Sequence, residues 1–324
     1  MRFLCCILWL LWPVCGQALE VNGTDYVSLR SYAGKLGMRA KWTERGESMR
    51  LESKWTTMDF VVDKREFHLN GYRLFFGYPI IEHKGNFYLS QSDIDHCLKP
   101  ILTPQLLSKP PRLSQIILDA GHGGKDPGAQ NPSIGLREKA LTLDLSKRVQ
   151  RLLQQRGFKV SQIRQSDVYI ELGERSARAN RLGGDLFVSL HFNATAKPSV
   201  SGVETYAYTP PWQPSTSRSE LDESDKKSYP AYEHAGWSTL AAYYIQRSMR
   251  DSLKVPDRGL KRARFTVLEG LRMPGVLVEG GFVTNTKEGN NIGSAAYRDR
   301  LAQAIVDGIL VYQRTALRVG GEGN

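Results

Sequence analysis

Ile116-Ile117-Leu118-Asp119-Ala120-Gly121-His122-Gly123-Gly124 is the stretch on which the reading of this chain turns. Ile116-Ile117-Leu118 is a short apolar run of the kind that forms a buried strand. The glycines on both sides of His122 let the backbone approach closely where a side chain would collide. Two later segments repeat the arrangement: Leu186-Phe187-Val188 runs into Ser189-Leu190-His191-Phe192-Asn193, and Val276-Leu277-Val278 runs into Glu279-Gly280-Gly281-Phe282. In an open α/β sheet the carboxyl ends of parallel strands share one edge, so groups far apart in sequence can meet there. With Glu138, in Leu136-Arg137-Glu138-Lys139, these segments hold two His and two Glu. That is enough for a three-ligand zinc site and a general base.

Each piece alone has a plainer reading. Gly-His-Gly-Gly is usually a turn, and a histidine at a strand end is as often a hydrogen-bonded core residue as a ligand. Glu279 is harder to dismiss, because a carboxylate following Val-Leu-Val is drawn toward the interior, where it needs a cation or a proton. Taken together and in this order, the segments favour a zinc hydrolase.

The intervening sequence keeps a strand-helix-strand rhythm. Ala140 to Arg156 carries Leu141, Leu145, Val149 and Leu152-Leu153 at helical spacing, stops at Gly157, and gives way to the strand-like Phe158-Lys159-Val160. Further helices are expected over Leu172 to Leu182 and over Ala295 to Ala316, the latter with Leu301, Ile305 and Ile309 on one face. About 200 residues of this pattern fit one α/β domain over 115–318, a doubly wound, mostly parallel sheet with helices on both faces. Residues 319–324 read as a disordered tail.

These segments resemble the zinc-dependent N-acetylmuramoyl-L-alanine amidases of the type 3 amidase domain. The resemblance runs from about Gln115 to Tyr312 and includes Ile117 to Ala129, Gly135 to Lys139, Leu186 to Asn193, Gly202-Val203-Glu204-Thr205-Tyr206 and Pro274 to Asn285. It implies that His122, Glu138 and His191 bind Zn2+ and that Glu279 is the catalytic carboxylate. Arg175 and Asn180 also match the family pattern, without an assigned role. Two imidazoles and one carboxylate leave a position open for water, as catalytic rather than structural zinc sites do. The implied activity is hydrolysis of the amide between N-acetylmuramic acid and the L-alanine of the peptidoglycan stem, with Glu279 moving the proton from water to the leaving nitrogen. The rival readings are a zinc peptidase cutting within the stem and a non-catalytic cell-wall-binding protein. A base beside the metal argues against the second.

The chain divides at a Pro-rich stretch, 103–114, with Thr103-Pro104 and Lys109-Pro110-Pro111-Arg112, which reads as a stiff extended linker. Before it, residues 19–102 form a small α+β accessory domain with alternating strands such as Ser48 to Glu52 and Met58 to Val62. Tyr26-Val27-Ser28, leading to Leu36, and Tyr88-Leu89-Ser90, leading to Leu98, echo each other, as an internal duplication would. Tyr26 to Arg30, Leu36-Gly37, Trp42, Leu69-Asn70-Gly71 and Phe87 to Ser90 resemble the copper amine oxidase N-terminal-like domain. His68, His83 and His96 lie in this module at irregular spacing and give no ligand pattern, so no metal is expected there.

Residues 1–18 read as a signal peptide, with Arg2, the apolar stretch Phe3 to Trp12, and Gly16-Gln17-Ala18 suited to cleavage. No stretch approaches the roughly 20 apolar residues of a membrane span, so the enzyme is expected to be exported, periplasmic or wall-associated, and not an integral membrane protein. Val14 fits poorly the small residue that lipid anchoring prefers, which argues against attachment through Cys15. Three of the four cysteines, Cys5, Cys6 and Cys15, lie in the leader, so the mature chain keeps Cys97 and forms no internal disulfide. Removing the leader takes away Arg2 and no acid, so the net charge falls from +11 to +10. That balance suits an anionic wall polymer, and without a run of Lys/Arg or an aromatic-interleaved basic motif no nucleic-acid partner is expected.

Residues 209–236 interrupt the domain pattern as a charged insertion, including Arg218-Ser219-Glu220-Leu221-Asp222-Glu223-Ser224-Asp225-Lys226-Lys227. The plain reading is a solvated surface loop. A sharper one is a lid or autoinhibitory segment whose acids reach the metal, released by a regulatory activator protein.

Overall fold

The computed structural model describes residues 19–321. The expected leader with its three cysteines, and residues 322–324 of the expected tail, lie outside the described residues. Alternating apolar residues give an antiparallel meander of β1 (Arg39–Glu44), β2 (Ser48–Glu52), β3 (Thr57–Val61), β4 (Glu66–Leu69) and β5 (Tyr72–Phe75). Met49, Leu51, Met58, Phe60, Phe67, Leu69 and Leu74 are buried, as the period of two along a strand requires. The stretches that echo each other in sequence pair antiparallel, Tyr26 with Ser90, Val27 with Leu89 and Ser28 with Tyr88. Each ends in a serine that caps the helical turn after it: Ser28 accepts from the Ser31 amide and Ser90 from the Asp93 amide.

After the accessory module come β6 (Gln115–Ala120), α1 (Glu138–Gln155), β7 (Lys159–Gln162), α2 (Leu172–Leu182), β8 (Leu186–Asn193) and β9 (Val203–Tyr208). They are followed by α3 (Ala235–Leu253), β10 (Asp257–Ala263), α4 (Thr266–Glu269), β11 (Gly275–Phe282) and α5 (Ala295–Val319). The meander and these six later strands form one eleven-stranded sheet, in the order β7-β6-β8-β11-β9-β10-β5-β4-β3-β2-β1. The first four run parallel, β9 turns antiparallel to β11, and β9 pairs parallel with β10. The fold is therefore mixed α/β, and the sheet is less parallel than a doubly wound one.

Period two also explains the layers. Ile116, Leu118, Val188 and Val278 join a core with Leu145 and Val149 of α1, Leu240 of α3 and Ile305 of α5. Ile117, Phe187 and Leu277, one residue along, point the other way into a second core with Ala179 of α2 and Leu268 of α4. Helices thus cover both faces of the parallel strands. Helix α1 begins two residues earlier than its apolar pattern suggests, which places Glu138 in its first turn. Helix α5 extends through Val319, inside the expected tail.

The accessory module is not a separate bead. Strand β10 pairs parallel with β5 through Leu260 and Leu74, the Arg73 amide donates to Asp257 at 3.0 Å, and the Tyr72 hydroxyl donates to Asp251 at 2.7 Å. Apolar residues of both halves share one core. The stretch 103–114, expected to be extended, opens with a tight turn at Pro104–Leu106, and the Ser108 carbonyl accepts from the Trp237 indole at 2.8 Å. Proline fixes φ at a value this turn can use, and the contact with α3 is made by the residues that follow it, Leu107 and Ser108.

Residues 209–236 form a strap between the two halves. Gln213 is fully buried and donates to the buried Asp93 carboxylate at 2.6 Å. Its side chain occupies the place that any Cβ on Gly77 would need, 2.0 Å from the Gln213 Cγ, so the close approach requires glycine there. Arg65 of the module donates to the carbonyls of Pro214, Ser215 and Arg218.

Candidate metal centre and cleft

Three of the sequence-read residues converge. One ligand atom from each of His122, Glu138 and His191 lies within 4.8 Å of the other two. The Glu138 carboxylate, 3% exposed, stands between the rings: Oε2 is 3.0 Å from His122 Nε2 and Oε1 is 3.0 Å from His191 Nδ1. Burial alone would raise the pKa of Glu138, but the hydrogen bonds and charges of His122 and His191 outweigh it and hold the carboxyl well below the usual carboxylate range. The amides of Ala129 and Phe192 donate to the same oxygens at 2.7 and 2.9 Å. For His122 burial opposes the charge, yet Glu138 and Asp126 together raise its pKa.

Local backbone explains why this works. The three strand ends put Gly121, His191 and Glu279 side by side: β8 pairs with β6 up to Leu190 and Ala120, and His191 stands opposite Glu279 in β11. A Cβ on Gly121 would sit 2.3 Å from the His191 ring, so glycine is what lets that ring lie over the neighbouring strand. His122 itself adopts φ 62°, a left-handed conformation disfavoured for a residue with a Cβ. Arg175 holds it there. Its guanidinium, 2% exposed, donates to the His122 carbonyl at 2.9 Å, to the Ala120 carbonyl at 2.9 Å and to the buried Asp119 carboxylate at 2.8 Å. Arg164 adds donors to the carbonyls of Ala120 and Gly121, each at 2.8 Å. Asn180 ties α2 to the loop before β11, giving to the Gly270 carbonyl at 2.7 Å and accepting from the Arg272 amide at 2.9 Å.

Glu279 lines the same cleft of about 500 Å³, with His122, Glu138, His191, Asn193 and a wall formed by Arg264, Phe265 and Val267. Its Oε2 is buried without a hydrogen-bond partner among the described residues. Burial, then the negative charges of Glu138 and Glu204, push its pKa well above the ordinary carboxylate value, and Lys261 offsets only part of this. The donor set fits a zinc ion: two imidazoles and a carboxylate, with Asp126 bonded to the far nitrogen of His122 at 2.8 Å in the manner of an orienting outer partner.

Several contributors escape the sequence reading. Asp126 sits four residues after His122, and that interval is the signal that could have flagged it. Arg164 offers no pattern of its own, and Glu204 lies in a segment that carries the family resemblance but gained no role from it, because both roles depend on which strands become neighbours. The insertion departs from its sharper reading. No residue of 209–236 lines the cleft. Glu220, Asp222 and Glu223 face solvent, and the one buried acid, Asp225, is held by Arg218 at 2.7 Å and by Arg264. Arg264 also donates to the carbonyls of Pro210 and Gln213. Asp225 is thus consumed in fastening the strap to the outside of the cleft wall, while Glu220, Asp222 and Glu223 stay exposed. Among the described residues no helix is long and apolar enough to cross a membrane.

A family profile described as N-acetylmuramoyl-L-alanine amidase matches residues 116–311. The N-acetylmuramoyl-L-alanine amidase LytC of Bacillus subtilis is 36% identical over 199 residues, which cover 61% of this chain and 35% of LytC. The chain thus spans about a third of the length of that relative. The crystal structure of an N-acetylmuramoyl-L-alanine amidase from Clostridium difficile 630 superposes with a TM-score of 0.52 at 31% identity, covering 62% of this chain and 97% of that one. The CwlD amidase of Clostridioides difficile, solved in complex with the GerS lipoprotein, gives a TM-score of 0.51 at 26% identity, over 62% and 99% of the two chains.

Proposed function

The chain belongs to the N-acetylmuramoyl-L-alanine amidase family, and from that premise we propose that it hydrolyses the amide between N-acetylmuramic acid and the L-alanine of the peptidoglycan stem. The observation that carries the reading is the unpartnered Oε2 of Glu279 in the same cleft as the His122, Glu138, His191 cluster. A structural metal site would have no use for such a group.

In this reading His122, Glu138 and His191 hold zinc, with Glu138 fixed by the amides of Ala129 and Phe192 and His122 oriented by Asp126. Bound zinc would supply a Lewis acid for the amide carbonyl and lower the pKa of water. Glu279 takes a proton as the water oxygen bonds to the acyl carbon, and returns it to the nitrogen as the carbon–nitrogen bond breaks. The carboxylic acid is released on the muramic side and the amine on the alanine side. Phe265 and Val267 provide an apolar wall beside the reacting groups.

The proposed setting is outside the cytoplasm, with residues 1–18 as the leader, the basic chain on an anionic wall, and residues 19–102 as an accessory module built onto the catalytic sheet. A regulatory partner would engage the exposed acidic stretch of the strap, Glu220 to Glu223, and act through Arg264 on the cleft wall. The deciding experiment is digestion of purified peptidoglycan by the mature protein. New free L-alanine amino ends and stem-free glycan are expected; new ends solely inside the stem would replace this reading by a peptidase.

A further inference from the structure

We propose that Asn193 donates a hydrogen bond to a carbonyl oxygen of the bound peptide stem, and that the buried Glu204 is the positioning residue that sets its orientation. The inference rests on the amidase reading above.

Asn193 ends β8 two residues after His191 and lines the cleft with Glu279. A side-chain amide has two N–H donors and two acceptor lone pairs. One N–H of Asn193 donates to Glu204 Oε1 at 2.7 Å, and Oδ1 accepts from the Ala194 amide at 2.8 Å. A backbone N–H can only donate and a carboxylate can only accept, so exchanging the amide oxygen and nitrogen would break both bonds. The amide is locked. Its second N–H finds no acceptor among the described residues, and it belongs to a side chain in the cleft wall. A locked donor of this kind selects an acceptor, and a peptide stem offers carbonyl oxygens.

Glu204 is 2% exposed, the second residue of β9, directly opposite Glu279 in β11. It accepts from Asn193, from the Tyr206 hydroxyl at 2.8 Å, from Arg258 at 2.9 Å and from Lys261 at 2.5 Å. Burying one carboxylate among two cations is costly in desolvation, and an apolar residue would serve the strand pairing as well. An apolar residue there, however, would free Asn193 to rotate and leave Lys261 and Arg258 unpaired near Glu279. The arrangement therefore makes sense as a fixed support for a contact in the cleft.

Binding can be read without turnover in Glu279→Gln protein carrying its zinc, by calorimetry with a soluble muropeptide that holds the intact amide. Adding Asn193→Ala is expected to raise Kd about tenfold, the size of one hydrogen bond lost. Asn193→Asp, which keeps the shape and removes the donor, is expected to weaken binding at least as much and covers the case in which the alanine variant does not fold. Glu204→Gln, which retains an acceptor, should lose less affinity than Glu204→Ala. In enzyme with Glu279 intact, Asn193→Ala should raise KM about tenfold with kcat within about threefold. Zinc-loaded, folded Asn193 variants whose Kd stays within twofold of their parent overturn the inference. The wild-type digest is scored first: failure to release L-alanine amino ends overturns the amidase reading and this inference together, whereas release with an unaffected Asn193 variant overturns this inference alone.

Discussion

At the scale of single residues, the proposed division of labour separates holding the metal from moving the proton. Glu279→Gln keeps size and polarity but cannot accept a proton, so zinc content should stay near normal while turnover falls by at least ~10². Metal analysis beside a digestion assay checks this, and turnover within a few-fold of wild type would place the base elsewhere. His122→Ala should instead lose zinc as well as activity, because it removes one of three protein ligands; a variant with full metal and full turnover would take His122 out of the centre. In the sequence His122 and Glu279 stand out because each follows an apolar strand run and has glycine beside it; His191 ends such a run without glycine, Glu138 follows none, and the roles of all four came from the family resemblance. Of the supporting groups, Arg175 and Glu204 fell within the family's pattern without a role, and Arg164 was not legible at all. They act on backbone carbonyls or across strands, and such partnerships leave no mark on the residue's own neighbourhood.

Among the elements, strands that continue into the site and helices with regular apolar spacing were readable, and α1 and α5 differ from their sequence patterns by two or three residues at one end. The strap defeated that approach. Its many charges look solvated in sequence, yet Asp225 is buried against Arg218 and Arg264, and Gln213 is buried against Asp93. Removing one partner of a buried ion pair typically costs ~3–5 kcal/mol, so Asp225→Ala should lower the thermal midpoint by several degrees and raise KM through a loosened Arg264–Val267 wall. Unchanged melting would mean that Arg264 finds equivalent partners. For the same reason, replacing residues 212–234 with a short Gly/Ser link should destabilise the protein and lower activity on soluble muropeptides. A gain in activity would revive the lid.

For the molecule as a whole, the seam between the halves carries a pH dependence. His96 lies where Arg262 and Thr239 donate to its carbonyl. Burial, helped by the charges of Arg262 and Lys99 and opposed by Asp95, lowers the pKa of its imidazole from 6.5 to about 4. Between those values the unfolded chain binds a proton that the folded chain does not, so this contribution is intact above about 6.5 and is lost as pH falls toward 4. The urea midpoint should therefore drop between pH 7 and 5 more steeply for wild type than for His96→Gln; parallel profiles would rule His96 out. The seam could not be read in advance, since nothing in Tyr72–Phe75 announces a partner 184 residues away, the separation of the Arg73–Asp257 contact. That separation also governs the order of events during synthesis. At about 5–20 residues per second, β5 waits roughly 10–40 s for β10 to emerge. Through that interval the nascent chain presents an open β edge, the template on which chains stick to one another, so the yield of soluble protein should depend on chaperone supply far more than the stability of the finished fold would suggest.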